Sequence, residues 1–568
     1  MSAGGVNEGF KARLPGTSAH CVPADDSVVT AFDADSMIDR RSVLTGVASS
    51  LALSALGWPL RAMAAVPELK LGKPEPFSFD RLVNEMKQRA TTAYVRDDSL
   101  PQGVLDRIGY DEHGKLKFNS EHALFRDGPG QYPVTFFALG KYFRTPVHMF
   151  VLSAAGKAAT ASEILYDAAY FSMPANSPAR ELPQGAGFSG FRLQESRLGD
   201  VRNLDWHSND WAAFLGASYF RGIGELGQYG LSARGIAVDV STPGRREEFP
   251  DFTRFYFEPP AAGANQMVIY AALDGPSLTG AYRFVLQRNN GVVMEVDARV
   301  FPRRDITQLG IAPMSSMFWF SETIKPTAID WRPEVHDSDG LALWTGDGEY
   351  IWRPLNNPDS PSVSTFADKT PRGFGLLQRD RNFDHYLDGV RYDRRPSLWV
   401  EPVDNWGEGA VQLVELPTTD ETEDNIVAMW VPKQPVLAGS SLRHRYRLRW
   451  CATEPHETDL ARCVATRLGR GGEPGKERPK GVHKFMVEFL GGPLASLPFG
   501  VKPKPILWSS SGTFSYVFTE AVPDGVPGHW RAQFDFTGAG PKVVDMRLYL
   551  KNGEQTLSET WLYQFHIV

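Results

Sequence analysis

Short runs of β-branched and aromatic residues, cut at close intervals by glycine and proline, limit what this chain can fold into. Val134-Thr135-Phe136-Phe137, Phe255-Tyr256-Phe257 and Met267-Val268-Ile269-Tyr270 are of this kind, and such side chains suit the pleated, half-buried surface of a sheet. Val292–Val300 alternates apolar and polar residues over its second half, the period of a strand with one face in a core. Breaks supplied by 53 Gly and 41 Pro leave little room for long helices. They argue for β-sandwiches or barrels and against a doubly wound α/β fold. Two short helices are predicted: one capped by Ser78, with Leu82, Val83 and Met86 on its apolar face, and one near Ser162–Ala169.

Composition shifts divide the chain. Gly469–Gly481 contains no apolar residue and reads as an exposed loop or linker. Beyond it, residues 481–568 read as about seven short strands, and Asn552-Gly553 between Met546–Leu550 and Glu559–Tyr563 is a strong hairpin signal. That spacing suits an immunoglobulin-like sandwich, preceded over 65–470 by one large β-sandwich with a long edge or groove.

Residues 1–64 read as an export segment. The twin arginine Arg40-Arg41 precedes an apolar run from Val43 to Leu60, and Ala62-Met63-Ala64 supplies a small-x-small cleavage pattern. Polar interruptions and Trp58-Pro59 make the run a poor membrane span. The pattern predicts twin-arginine export of a folded protein to the periplasm, with Met37 as an alternative start to Met1.

The 568-residue chain is 42% hydrophobic and 22% charged, a globular composition with length for two or three domains. Lysines and arginines are scattered and the net charge is −7, which argues against nucleic-acid binding and against a polybasic membrane patch. Cys21 precedes the export signal. Cys451 and Cys463 admit either a disulfide or two buried thiols, and no cysteine or histidine spacing suggests a metal.

Four stretches could carry chemistry. Gly222-Ile223-Gly224-Glu225-Leu226-Gly227 matches G-x-G-x-x-G, but a dinucleotide fingerprint must open a helix. Here Gln228-Tyr229-Gly230 and the strand-like Gly235–Val240 follow, so no nucleotide cofactor is expected. His336-Asp337-Ser338-Asp339-Gly340 groups an imidazole with two carboxylates, although Asp, Ser and Gly equally form an ordinary turn. It fails as a calcium loop, with Gly too early and no distal Glu. Thr418–Asn425 is an acidic connection between two strand-like runs, either a solvated loop or a carrier of catalytic carboxylates. Between the last two, Trp399, Glu401 and Trp406 offer rings and a carboxylate that suit a sugar, or core packing.

Taken together, these words resemble the periplasmic glucan biosynthesis protein family, type D in particular. The resemblance includes Leu215–Arg221, Tyr229–Gly235, Gln308–Met314, His336–Asp339, Arg353–Pro358, Gly373–Gln378, Trp399–Pro402, Asp424–Val427 and Ser558–Gln564, and spans 75–568. The twin-arginine signal fits type D, since type G is usually described with an ordinary secretory signal. The resemblance implies a galactose-mutarotase-like β-sandwich followed by an immunoglobulin-like domain. It also implies action on β-1,2-linked glucan as an inverting hydrolase or a transglycosylase, with Asp424 as general acid and Asp337 as base. Inverting chemistry places two carboxyl groups roughly 6.5–9.5 Å apart, one protonated at the leaving oxygen and one activating water. Glu421 and Glu423 lie close enough in sequence to raise the acid's pKa. Glu421, His336, Asp339, Trp399, Glu401 and Trp406 are the candidate substrate contacts. The stretch between Gly469 and Val482 looks shorter than in enterobacterial type-D members, which bears on hydrolysis versus transfer if it covers the cleft. The competing function is a non-catalytic glucan-binding or chaperone subunit that serves a membrane glucan synthase.

Overall fold

The computed structural model describes residues 68–567 except 98, 157–158, 200–201, 326–327 and 457. The export signal, Met37 and Cys21 lie outside the described residues. Among the described residues strands predominate, most of them in one sheet of 16 strands and one of 10. The larger sheet is centred on long antiparallel strands: Gln266–Asp274, Leu278–Asn289, Gly291–Pro302 and Leu442–Cys451. Within Gly291–Pro302, Val296, Ala298 and Val300 are buried while Asp297 and Arg299 are half-buried, which is the alternation the sequence carries.

The two sheets pack face to face through phenylalanine. Phe191, Phe214 and Phe220 of the smaller sheet stack on one another at 4.8 and 4.9 Å. Phe255, Phe257 and Phe284 of the larger sheet meet them edge-on at 4.9–5.5 Å. Edge-to-face contact sets the positive ring edge against the negative face, and each buried ring contributes about 1.5–3 kcal/mol by leaving water.

The predicted first helix, α1 (Phe79–Arg89), begins where Ser78 Oγ accepts the Arg81 N–H at 3.1 Å, and Leu82 and Met86 are its buried residues. The second is not a helix. Ala159–Ile164 is a strand between Glu75–Phe77 and His148–Leu152, followed by a single 3₁₀ turn at Ala168–Tyr170. Two free sheet edges outbid a weak local preference there.

The Gly469–Gly481 stretch joins two antiparallel partners, Arg462–Arg470 and Val482–Leu490, in a hairpin. These belong to a four-stranded sheet whose Phe485 and Phe534 pack on Trp561, with ring centroids 6.2 and 6.4 Å apart. Trp561 lies on Thr560–His566, which pairs with Val543–Asn552 across the predicted Asn552-Gly553 turn. Thr560–His566 also pairs in parallel with Tyr350–Pro354, so the large sheet runs without a break into the C-terminal region.

Gly222 ends the strand Tyr219–Gly222, and the next element is the strand Ser232–Arg234 rather than a helix. These glycines admit close neighbours. A Cβ at Gly222 would lie 2.9 Å from Val292 Cβ, and one at Gly224 would lie 2.7 Å from Pro396 Cβ. Cys451 and Cys463 are free, buried thiols, and burial pushes Cys451 up to about 12. Among the described residues no helix is long and apolar enough to cross a membrane.

Candidate active site

Six strands build the site: β1 (Leu309–Ser316), β2 (Phe318–Phe320), β3 (Val335–His336), β4 (Gly340–Trp344), β5 (Glu408–Glu415) and β6 (Ile426–Pro432). The acidic stretch is the connection from β5 to β6, and His336–Gly340 is the passage from β3 into β4. Ser316 joins the two. It faces Ile426 across the β1–β6 ladder, while its hydroxyl bonds the Ser338 hydroxyl at 2.8 Å. Asp337 precedes Ser338, Asp424 lies two positions before Ile426, and the Asp424 carboxylate acts electrostatically on Asp337.

Asp424 is held by its neighbour. The Asn425 side chain accepts the Phe318 N–H at 2.8 Å and donates to the carbonyls of Phe318 and Leu416, each at 2.9 Å. Asp337 is fixed by its own N–H to the Met317 carbonyl and by the Arg395 guanidinium 2.5 Å from its carboxylate. It is only 5% exposed. Burial pushes its carboxyl above the ordinary range, Arg395 opposes this, and Asp424 adds to it.

A chain of contacts links Asp337 to the rim. Arg395 lies 4.4 Å from the Tyr392 ring centroid, and the Tyr392 hydroxyl donates to Glu421 at 2.8 Å. Glu421 also takes a 2.5 Å ion pair from Arg332. That cation neutralises Glu421 and weakens the field it could exert on Asp424; Glu423 lies exposed. Arg332, Tyr392, Arg395 and Asn425 are therefore site residues that sequence reasoning missed. Asn425 lay within a resembling word. The arginines of 391–395 lie in no motif, and sequence charges ordinarily mark a solvated surface.

Other expected contacts lie elsewhere. His336 is fully buried: Nδ1 bonds Gln378 Oε1 at 2.9 Å and Nε2 meets Glu334 at 3.0 Å, so no ring nitrogen faces a substrate. Asp339 Oδ2 accepts the N–H groups of Arg379 and Asp380, which makes Asp339 a backbone staple. Trp399 packs in the C-terminal core with its ring 4.4 Å from His456. Trp406 lies among Phe374, Trp430, His444 and Tyr446. Glu401 is paired with Arg447 and Arg449. Sheet burial, not a sugar, occupies both indole rings.

Behind His336 sits a second acidic group. Glu334, Asp380 and His385 bring ligand-type atoms within 4.8 Å of one another, the spacing a cation would need, but His385 Nδ1 already bonds Asp380 at 2.5 Å. Burial pushes Glu334 up to about 8 and Glu322 up to about 7. A protonated Glu334 donates to His336 Nε2, since Gln378 Oε1 takes the Nδ1 proton. Unfolding frees Glu334 to ionise from its ordinary 4.5, while the folded carboxyl holds its proton until about 8. Its stabilising contribution is thus complete below pH 4.5 and is lost as pH rises toward 8. Glu334→Gln keeps a donor and cannot ionise. Its melting temperature relative to the parent should climb between those pH values and level off above them, and a difference flat with pH would contradict the protonated state.

Residues 77–565 match the family described as periplasmic glucan biosynthesis protein, MdoG. The chain is 63% identical over 531 residues to glucans biosynthesis protein D 2 of Ralstonia nicotianae, covering 93% of this chain and 98% of that protein. It is 44% identical over 539 residues to glucans biosynthesis protein D of Xanthomonas oryzae pv. oryzae, covering 93% and 98%. Against glucans biosynthesis protein D of Stenotrophomonas maltophilia it is 45% identical over 527 residues, covering 91% and 96%.

Proposed function

This chain belongs to the periplasmic glucan biosynthesis protein family, and from that membership and its paired carboxylates we propose that it hydrolyses or transfers β-1,2-linked glucan in the periplasm, after twin-arginine export. Through this activity it sets the structure of the glucose backbone. The observation that supports the reading is that Asp424 acts electrostatically on Asp337, 87 positions away in sequence, where Ser316 opposite Ile426 hydrogen-bonds Ser338.

Asp424, on the half-buried end of the β5–β6 connection, protonates the leaving glycosidic oxygen. Asp337 is the base. Its enclosure favours the proton, and the Arg395 cation opposes this and favours the ionised form a base requires. In hydrolysis water attacks the anomeric carbon and loses a proton to Asp337; in transfer a sugar hydroxyl takes the place of water. No metal or organic cofactor enters this scheme.

One observation favours the second reading, a non-catalytic glucan-binding subunit partnering a membrane glucan synthase. Asp337 is nearly enclosed and ion-paired, as a purely structural carboxylate would be. Incubating the purified protein with linear β-1,2-glucan separates the two. Shortened or rearranged glucans are expected, and a substrate recovered unchanged, though bound, would overturn the enzymatic reading in favour of the binding one.

A further inference from the structure

We propose that Trp331 is a glucose-stacking platform at the rim of the carboxylate site, a binding subsite for the glucan chain away from the bond that reacts. The inference rests on the reading that this site takes β-linked glucan. Trp211, Trp399, Trp430, Trp450 and Trp561 are fully buried, whereas Trp331 is 68% exposed. Trp508 in the C-terminal region is 56% exposed, but Trp331 is the more exposed and lies beside the site; leaving its ring in water forfeits the burial those five indoles obtain.

The chain on both sides of the ring is held in place. On one side Asp330 accepts from the Arg332 backbone N–H at 2.8 Å and from its guanidinium at 3.0 and 3.1 Å. Lys325 Nζ donates to the Asp330 carbonyl at 2.6 Å and also to the Arg332 carbonyl. The residues on both sides of Trp331 are therefore tied down, and stacking a ligand on its ring costs little ordering entropy.

The position is also connected to the chemistry. Arg332 lies 5.7 Å from the Trp331 ring centroid, and the same guanidinium holds Glu421, three positions before Asp424. Through Tyr392 and Arg395 the line of contacts reaches Asp337. A pyranose ring has one face of C–H bonds and a periphery of hydroxyls. An exposed aromatic face bordered by ionic groups complements it, whereas an apolar ligand would find a single ring among charges. Trp331 thus has the placement that Trp399 and Trp406 lack.

The test compares Trp331→Ala and Trp331→Phe in the full chain. Affinity for linear β-1,2-glucan is measured by calorimetry in an Asp424→Asn background, and KM and kcat in the active background. Trp331→Ala should weaken affinity and raise KM about ten-fold, the factor that 1.4 kcal/mol carries, with kcat within about two-fold. Trp331→Phe should recover most of the loss. Trp331→Ala with the parent's affinity for glucan overturns the proposal. If the parent binds glucan without converting it, the enzymatic reading fails, and a weakened Trp331→Ala still upholds the subsite because affinity is read without turnover.

Discussion

Asp424→Asn is expected to lower turnover of β-1,2-glucan by about 10²–10⁴-fold, the range general acid–base groups supply, with the fold and glucan affinity retained. The amide keeps size and polarity but has no proton to give the leaving oxygen. Stability should hold because Asp424 is half-buried, makes no ion pair among the described residues, and leaves the anchoring to Asn425. Asp337→Asn should also cripple turnover, but with a second effect. It removes an ion pair from an enclosed position, so the denaturant midpoint should fall as well. Parent-like product formation by Asp424→Asn, with circular dichroism unchanged, would remove the general acid from the mechanism.

Arg353→Met is expected to destabilise the fold by about 3–5 kcal/mol, the cost of stranding one member of a buried ion pair. Glu415 ends β5 immediately before the acidic connection and is completely buried, with Arg353 Nη2 at 2.9 Å and the Asn356 N–H at 2.7 Å as partners. Burial pushes its carboxyl above the ordinary range even with Arg353 present, so desolvation outweighs the attraction. Two consequences follow from that balance. The loss in Arg353→Met should shrink as pH falls and Glu415 protonates. The double replacement Arg353→Met/Glu415→Leu should recover much of the stability, because no charge is left to bury. Urea unfolding of the single and double variants at two pH values reads both. A single variant with the parent's midpoint would show that this pair does not hold the end of β5.

Helix α1, the strand Gly291–Pro302, the hairpin around Asn552-Gly553 and the acidic connection at 418–425 were legible because their signals are local. A cap, an alternation or a turn dipeptide lies within a few residues of the structure it specifies. The strand at Ala159–Ile164 was not legible, because its partners at 75–77 and 148–152 override a weak local preference.

The same division runs through the site. The sequence by itself determined the carboxylates at 337 and 424 as candidates, through residue type and resembling words. It could not say that Trp399 and Trp406 would be buried while Trp331 stayed in water, because all three are equally apolar and aromatic. Only the tertiary structure decided that Arg395 would meet Asp337 across 58 positions and Arg332 would meet Glu421 across 89. The physical reason is that backbone preference acts between near neighbours. Burial and ion pairing are decided where distant strands come to lie side by side, and there packing rather than residue type assigns each side chain to core, site or solvent.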